Sequence, residues 1–200
     1  MNRKRIRKIV LAVGGTGLGL FLLILLCLYF YGTAVSSEGI TPDTLEGRWG
    51  TRIVERHDRL AVQLYSRFDQ PVDVVWQFVR NYEEYPERLD YVVSAEVIKQ
   101  NADESTLKLV TKSFPTNVSE KLSMRYETGG AVKRATWSQI EGNLAHNDGE
   151  WEVTPTPNGC FLKYTLCVSY GGPVPDWLLH ALLRLYAPEI VEAIDRVVER

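Results

Sequence analysis

Residues 177–186 (WLLHALLRLY) hold eight apolar side chains and two polar ones, His180 and Arg184. A surface helix normally pairs an apolar stripe with a broad polar face, and this stretch has almost no polar face. The rest of the chain must therefore cover such a helix on nearly every side, or leave it against a ligand or a membrane. Gly171-Gly172-Pro173-Val174-Pro175 ends whatever precedes it, and Asp176 supplies an N-cap. In the second half Ile190, Val191, Ile194, Val197 and Val198 form one stripe, with Glu189, Glu192, Asp195, Arg196 and Glu199 opposite. Pro188 predicts a kink between the two halves.

Antiparallel strands are the expected wrapping. Leu60, Val62 and Leu64 alternate with Ala61, Gln63 and Tyr65 in a strand read over 52–68. Pro71 then opens a helix on which Val72, Val75, Trp76 and Val79 recur at helical spacing. Residues 81–90 form a second short helical piece interrupted by Pro86. Strands follow over 92–99, 106–114, 118–127, 132–140, 150–154 and 160–170. In the third, Val118, Glu120, Leu122, Met124 and Tyr126 share one side. Gly129-Gly130, Asp148-Gly149 and Asn158-Gly159 are read as turns, and such short connections pair sequential strands antiparallel. The fold class expected is α+β: an antiparallel curved β-sheet of about six to seven strands around the C-terminal helix.

The N-terminal part has a different character. Residues 9–31 carry no ionisable group in the membrane range, and five basic residues (Arg3, Lys4, Arg5, Arg7, Lys8) precede them without an acid. A helix of that length reaches roughly 34 Å, enough for one membrane span. The charge bias puts residues 1–8 in the cytoplasm and the main domain outside it, in the periplasm if the cell is Gram-negative. The chain thus divides into a basic N-terminus (1–8), a transmembrane helix (9–31), a linker (32–47) and one domain (48–200). The rival reading is a cleaved signal peptide with Gly32-Thr33-Ala34 near its end, although the apolar stretch is longer than a usual signal core. Leu26 before Cys27 does not suit a lipoprotein signal. Beyond residue 31, 18 basic groups face 25 acidic ones, a net charge of −7, which disfavours nucleic acid as a partner.

The order of elements, one strand, two short helices, a meander and a long closing helix, resembles the START-like (SRPBCC, helix-grip) superfamily. Three segments carry the resemblance. Phe68-Asp69-Gln70-Pro71-Val72-Asp73-Val74-Val75-Trp76 is similar to the first strand and helix, and Asn81-Tyr82-Glu83-Glu84-Tyr85-Pro86 to the next short helix. Gly149-Glu150-Trp151-Glu152-Val153-Thr154-Pro155, Asn158-Gly159-Cys160 and Pro173-Val174-Pro175-Asp176-Trp177-Leu178 are similar to the last hairpin and the lead into the closing helix. The resemblance extends over roughly 55–199 and falls toward the polyketide cyclase/dehydrase and coenzyme-Q-binding branch. It implies a helix-grip fold whose sheet and C-terminal helix enclose a cavity for a lipid, isoprenoid or polyketide. The cavity wall expected from the helix is Trp177, Leu178, Ala181, Leu182, Leu185 and Tyr186, with Leu109, Met124 and Trp137 from the sheet. His180 and Arg184, at i and i+4, are candidates to hydrogen-bond a ligand headgroup, or are simply the helix's wet stripe.

Motifs for catalysis are sparse. His57, His146 and His180 are the only histidines and have no metal-ligand spacing, and no nucleophile elbow, P-loop or dinucleotide fingerprint is present. Neither a catalytic group nor a metal or other cofactor is nominated. Glu83, Glu84 and Glu87 read as a solvated face. Cys160 and Cys167 fall on opposite faces of one strand and are expected to be free thiols. Asn117-Val118-Ser119 matches a glycosylation sequon, relevant only in a eukaryotic secretory lumen. The function expected is a membrane-anchored binding or transport domain for an apolar small molecule. The alternatives are a cyclase or dehydratase using the same cavity, and an interaction module whose core is filled by its own side chains. The oligomeric state and the ligand's identity stay open.

Overall fold

The computed structural model describes residues 21–36, 40–113, 116–171 and 175–198. The basic segment 1–8 and residues 9–20 of the expected span lie outside them. Residues 21–33 form helix α1. Among the described residues no helix is long and apolar enough to cross a membrane.

The domain begins with strands β1 (Trp49–Arg56) and β2 (Arg59–Phe68), followed by α2 (Val72–Arg80), a 3-10 turn (Tyr82–Glu84) and α3 (Tyr85–Arg88). A six-strand meander follows: β3 (Val92–Gln100), β4 (Glu104–Thr111), β5 (Val118–Glu127), β6 (Lys133–Gly142), β7 (His146–Thr156) and β8 (Gly159–Ser169). Helix α4 (Asp176–Val198) closes the chain and is assigned without a break through Pro188. All eight strands form one antiparallel sheet in the order β1-β2-β8-β7-β6-β5-β4-β3. Irregularities in register within β3 and at Lys121/Leu122 of β5 add curvature.

Two sequence expectations are corrected here. The sheet has eight strands rather than six to seven, because the single strand read over 52–68 is a hairpin. Its turn is His57-Asp58, with φ of 50° and 61°, and Arg56 pairs directly with Arg59. Two consecutive positive φ values are the geometry of a type I′ turn, here made without glycine. Asp148-Gly149, read as a turn, lies inside β7 opposite Cys167 and Leu166. Gly149 is needed there for space: a Cβ would overlap the Trp137 ring and the Thr165 carbonyl.

The main core gathers between the concave sheet face and the helices. Val75, Trp76, Phe78 and Val79 of α2 enter it with Ile190, Val191 and Ile194 of α4. Glu192 and Arg196 remain exposed, as the apolar stripe on α4 requires. Hydrogen bonds and an ion pair fasten α4 at its far end: Glu189 accepts from the Asp90 amide at 2.7 Å, Arg196 donates to the Arg88 carbonyl, and Arg48 pairs with Asp195.

The segment read as a linker also touches the domain. Val35 bridges Ile53 in parallel, and the Ser36 amide donates to the Ile53 carbonyl. Leu45 is buried against Tyr65 and Phe161, and Arg67 donates to the carbonyls of Pro42 and Leu45.

Candidate functional site

An apolar cavity of about 610 Å³ lies between the concave sheet face and the first half of α4. Strand alternation points Leu107 and Leu109 of β4, Leu122 and Met124 of β5, Trp137 of β6, Trp151 of β7 and Tyr164 of β8 into it. Trp137 stacks on Tyr164 at 5.6 Å between ring centroids, and Trp151 lies at 4.1 Å from the same ring. The missing side chain at Gly149 lets the Trp137 indole lie over β7.

Of the residues named from sequence, Leu109, Met124, Trp137, Leu182 and Tyr186 line the cavity. Leu182 and Tyr186 also face solvent, 37% and 58% exposed, and so mark its mouth. Lys112, whose ammonium donates to the Asp90 carbonyl at 2.6 Å, lies on the wall with them. Trp177, Leu178, Ala181 and Leu185 are outside the wall. Trp177 packs edge-on to Tyr29 of α1, and Ala181 is fully buried beside Gly32. Arg184 donates to Thr51 and to the Tyr31 carbonyl, with its guanidinium 3.8 Å from the Tyr31 ring centroid. His180 is buried near the backbone of Val168 and Gly32, away from the cavity wall, and desolvation holds its pKa below the ordinary imidazole value.

These placements account for the unusual composition of 177–186. Leu179, Leu183, Ala187 and Ile190 face the cavity, and Trp177, Ala181 and Arg184 face α1. Leu182, Leu185 and Tyr186 are left exposed between those two contacts.

The polar end of the cavity was not nominated from sequence. Glu120 of β5 projects into the apolar wall and is only 4% exposed. Asn147 Nδ2 donates to both of its carboxylate oxygens at 2.9 Å. Asn147 Oδ1 in turn accepts from Trp137 Nε1 at 2.9 Å, which fixes the direction of the amide. Burial raises the Glu120 pKa above the ordinary carboxylate value, against the stabilising Asn147 bonds. Burial likewise raises Tyr164, and the charge of Glu120 adds to that rise. A second chain of hydroxyls links Ser105 to Tyr126, which donates to Tyr82 on the cavity wall. A signal for Glu120 was present: it occupies the apolar side of an alternating strand. Asn147 was hidden because 148–149 read as a turn.

The arrangement suits a molecule that is apolar over most of its length and carries one neutral oxygen function. Burial favours the protonated form of this carboxyl, which can donate to an oxygen, and its ionised form would repel a phosphate or carboxylate headgroup. None of the three histidines reaches the cavity wall, and no cluster of metal ligands forms on it among the described residues.

Comparison with known proteins fits this geometry. Residues 68–195 match the family model for polyketide cyclase/dehydrase and lipid transport. No curated protein sequence matches the chain significantly. A fragment of a STAR-related lipid transfer protein from Xanthomonas axonopodis superposes with a TM-score of 0.67 at 14% identity, covering 78% of this chain and 96% of that one. Human STARD10 gives 0.62 at 10% identity, with 84% and 83% covered. The Zhui aromatase/cyclase from a Streptomyces species gives 0.61 at 15% identity, with 70% and 94% covered. The fold is the helix-grip fold, and the chain belongs to the polyketide cyclase/dehydrase and lipid transport family of the START-like superfamily.

Proposed function

We propose that the chain is a membrane-anchored carrier for an apolar small molecule, a lipid, isoprenoid or quinone, with its domain on the extracytoplasmic side. The observation that carries this reading is the cavity of about 610 Å³, apolar along its walls and polar at the Glu120–Asn147 pair. A volume in the range of small-molecule sites with few convergent polar groups is the design expected of a binding site. The lipid transfer proteins among the structural neighbours agree with it. The uncharged run 9–31, with its basic flank, supports the anchor. An anchored domain meets a bilayer-dissolved ligand at raised effective concentration. Its net charge of −7 gives it no attraction to anionic headgroups.

Trp137 and Trp151 on the wall provide the test. Their fluorescence should transfer saturably to dehydroergosterol, an apolar probe with a single neutral hydroxyl, in the full chain, and a ubiquinone or another sterol should compete. Transfer that never saturates, or that nothing competes away, refutes the carrier reading. One observation favours catalysis instead: Glu120, a buried carboxyl of raised pKa, shares the cavity wall with the Tyr164 phenol, and a carboxyl so placed suits proton transfer with a carbonyl substrate. Glu120→Gln separates the two readings. The glutamine amide keeps a hydrogen-bonding group at the pole, so the variant should still bind dehydroergosterol under both readings and abolish turnover of a polyketone only under the second.

A further inference from the structure

Strand alternation sets a second polar cluster on the opposite face of the sheet. His146 and Asp148 flank Asn147 in β7, so they point away from the cavity into which Asn147 points. Asp148 pairs directly with Cys167 of β8. One ring nitrogen of His146, one carboxylate oxygen of Asp148 and Sγ of Cys167 all lie within 4.8 Å of one another. His146 Nε2 contacts Asp148 Oδ1, while Asp148 Oδ2 faces Arg56 Nε at 3.5 Å. The Cys167 thiol is 2% exposed, with the Leu60 carbonyl at 3.7 Å as a weak acceptor. The His146 side chain is 31% exposed, so the cluster opens to solvent on one side.

We propose that His146, Asp148 and Cys167 form a three-ligand site for a zinc-type divalent cation on the convex face of the sheet. Nitrogen, oxygen and sulfur donors together select a borderline-soft ion and disfavour magnesium or calcium. Tetrahedral zinc ligands at 2.0–2.3 Å lie about 3.3–3.8 Å apart, so side-chain torsions of an ångström or so bring these atoms into place. On binding, the Cys167 S–H bond breaks, its proton passes to water and a metal–sulfur bond forms. His146 ligates through Nε2 with its ring proton on Nδ1. Asp148 ligates through Oδ1 and keeps Oδ2 for Arg56, an outer contact that orients the carboxylate. Thiolate and carboxylate neutralise the two charges of the ion, and a water molecule takes the open fourth position. The histidine spacing gives no sign of this site, because its donors are of three kinds and come from two strands. It shares no residue with the cavity and stands apart from the carrier reading.

Cobalt(II) provides the probe. Titrated into the reduced full chain, it should give a near-ultraviolet thiolate-to-cobalt charge-transfer band that saturates at one equivalent and is displaced by zinc. Cys167→Ser should abolish the band, whereas Cys27→Ser and Cys160→Ser keep it. His146→Ala and Asp148→Asn should each weaken binding at least tenfold. A folded wild-type chain without the band, or a band that survives Cys167→Ser, overturns the proposal. Should Cys167→Ser fail to fold, the partly exposed His146 decides: unchanged cobalt affinity in His146→Ala also overturns it.

Discussion

Replacing Asn147 with leucine removes the group that joins Glu120 to Trp137 while keeping nearly the same volume. The Trp137 N–H then loses its acceptor, and the Glu120 carboxyl loses the amide nitrogen that donates to both its oxygens. Each orphaned buried group costs about 1–3 kcal/mol, so Asn147→Leu should destabilise the domain by about 2–6 kcal/mol. That is a large part of the 5–15 kcal/mol typical of a folded domain. Adding Glu120→Leu removes one of the two orphans and leaves only the indole N–H unpaired. The double variant should therefore be more stable than Asn147→Leu alone by about 1–3 kcal/mol. Urea unfolding followed by near-ultraviolet circular dichroism measures all three variants in one cycle. A double variant that loses the sum of the two single losses would show that the residues do not act as one network, and the assignment of a polar pole to the cavity would fail with it.

Three other outcomes are expected. Burial raises the folded-state pKa of Glu120 above its unfolded value, so its contribution is fully present below the unfolded carboxylate pKa and is lost as pH rises through the folded one. Glutamine does not titrate, so wild-type stability should fall relative to Glu120→Gln as pH rises above the ordinary carboxylate pKa, and a difference that stays constant through that rise would contradict the burial of the charge. Replacing His57-Asp58 by Asn-Gly suits two positive φ values better and should add about 0.5–2 kcal/mol to stability, read as a higher urea midpoint with unchanged slope. A side chain at Gly32 would collide with the Trp177 carbonyl, so Gly32→Leu should cost about 1–3 kcal/mol and open residues 33–48 to protease; an unchanged cleavage pattern would argue against the α1–α4 contact.

Local chemistry made much of the fold legible. Alternation over Val118–Glu127 gave the inner face of β5 correctly, and it already placed Glu120 among Leu122, Met124 and Tyr126. Pro71 marked the start of α2, and the stripe on the second half of α4 identified its buried side. The errors arose where local signals carry two meanings. Asp-Gly favours a turn, yet Gly149 serves to admit an indole from the next strand, a demand that exists only once β6 and β7 pair. His57-Asp58 turns without glycine, so a hairpin looked like one strand. On α4 the apolar pattern showed that 177–186 must be covered without showing by what. Cavity and α1 divide that helix between them, and this division is a tertiary fact that no window of residues encodes.

The corner between α1 and α4 changes how the domain is held. A free linker of sixteen residues would let its ends wander by roughly 22 Å, and the domain could tumble beneath it. Instead Tyr29 meets Trp177, Gly32 abuts the same residue's backbone, and Tyr31 is clasped by Arg184. Three contacts spread along α4 from Trp177 to Arg184 resist rotation as well as separation. The cavity mouth at Leu182 and Tyr186 therefore keeps a set bearing relative to the axis of α1. α4 is both lid and hinge plate, so any movement that widens the mouth must also load the joint with α1, and a pull on α1 must be felt at the mouth.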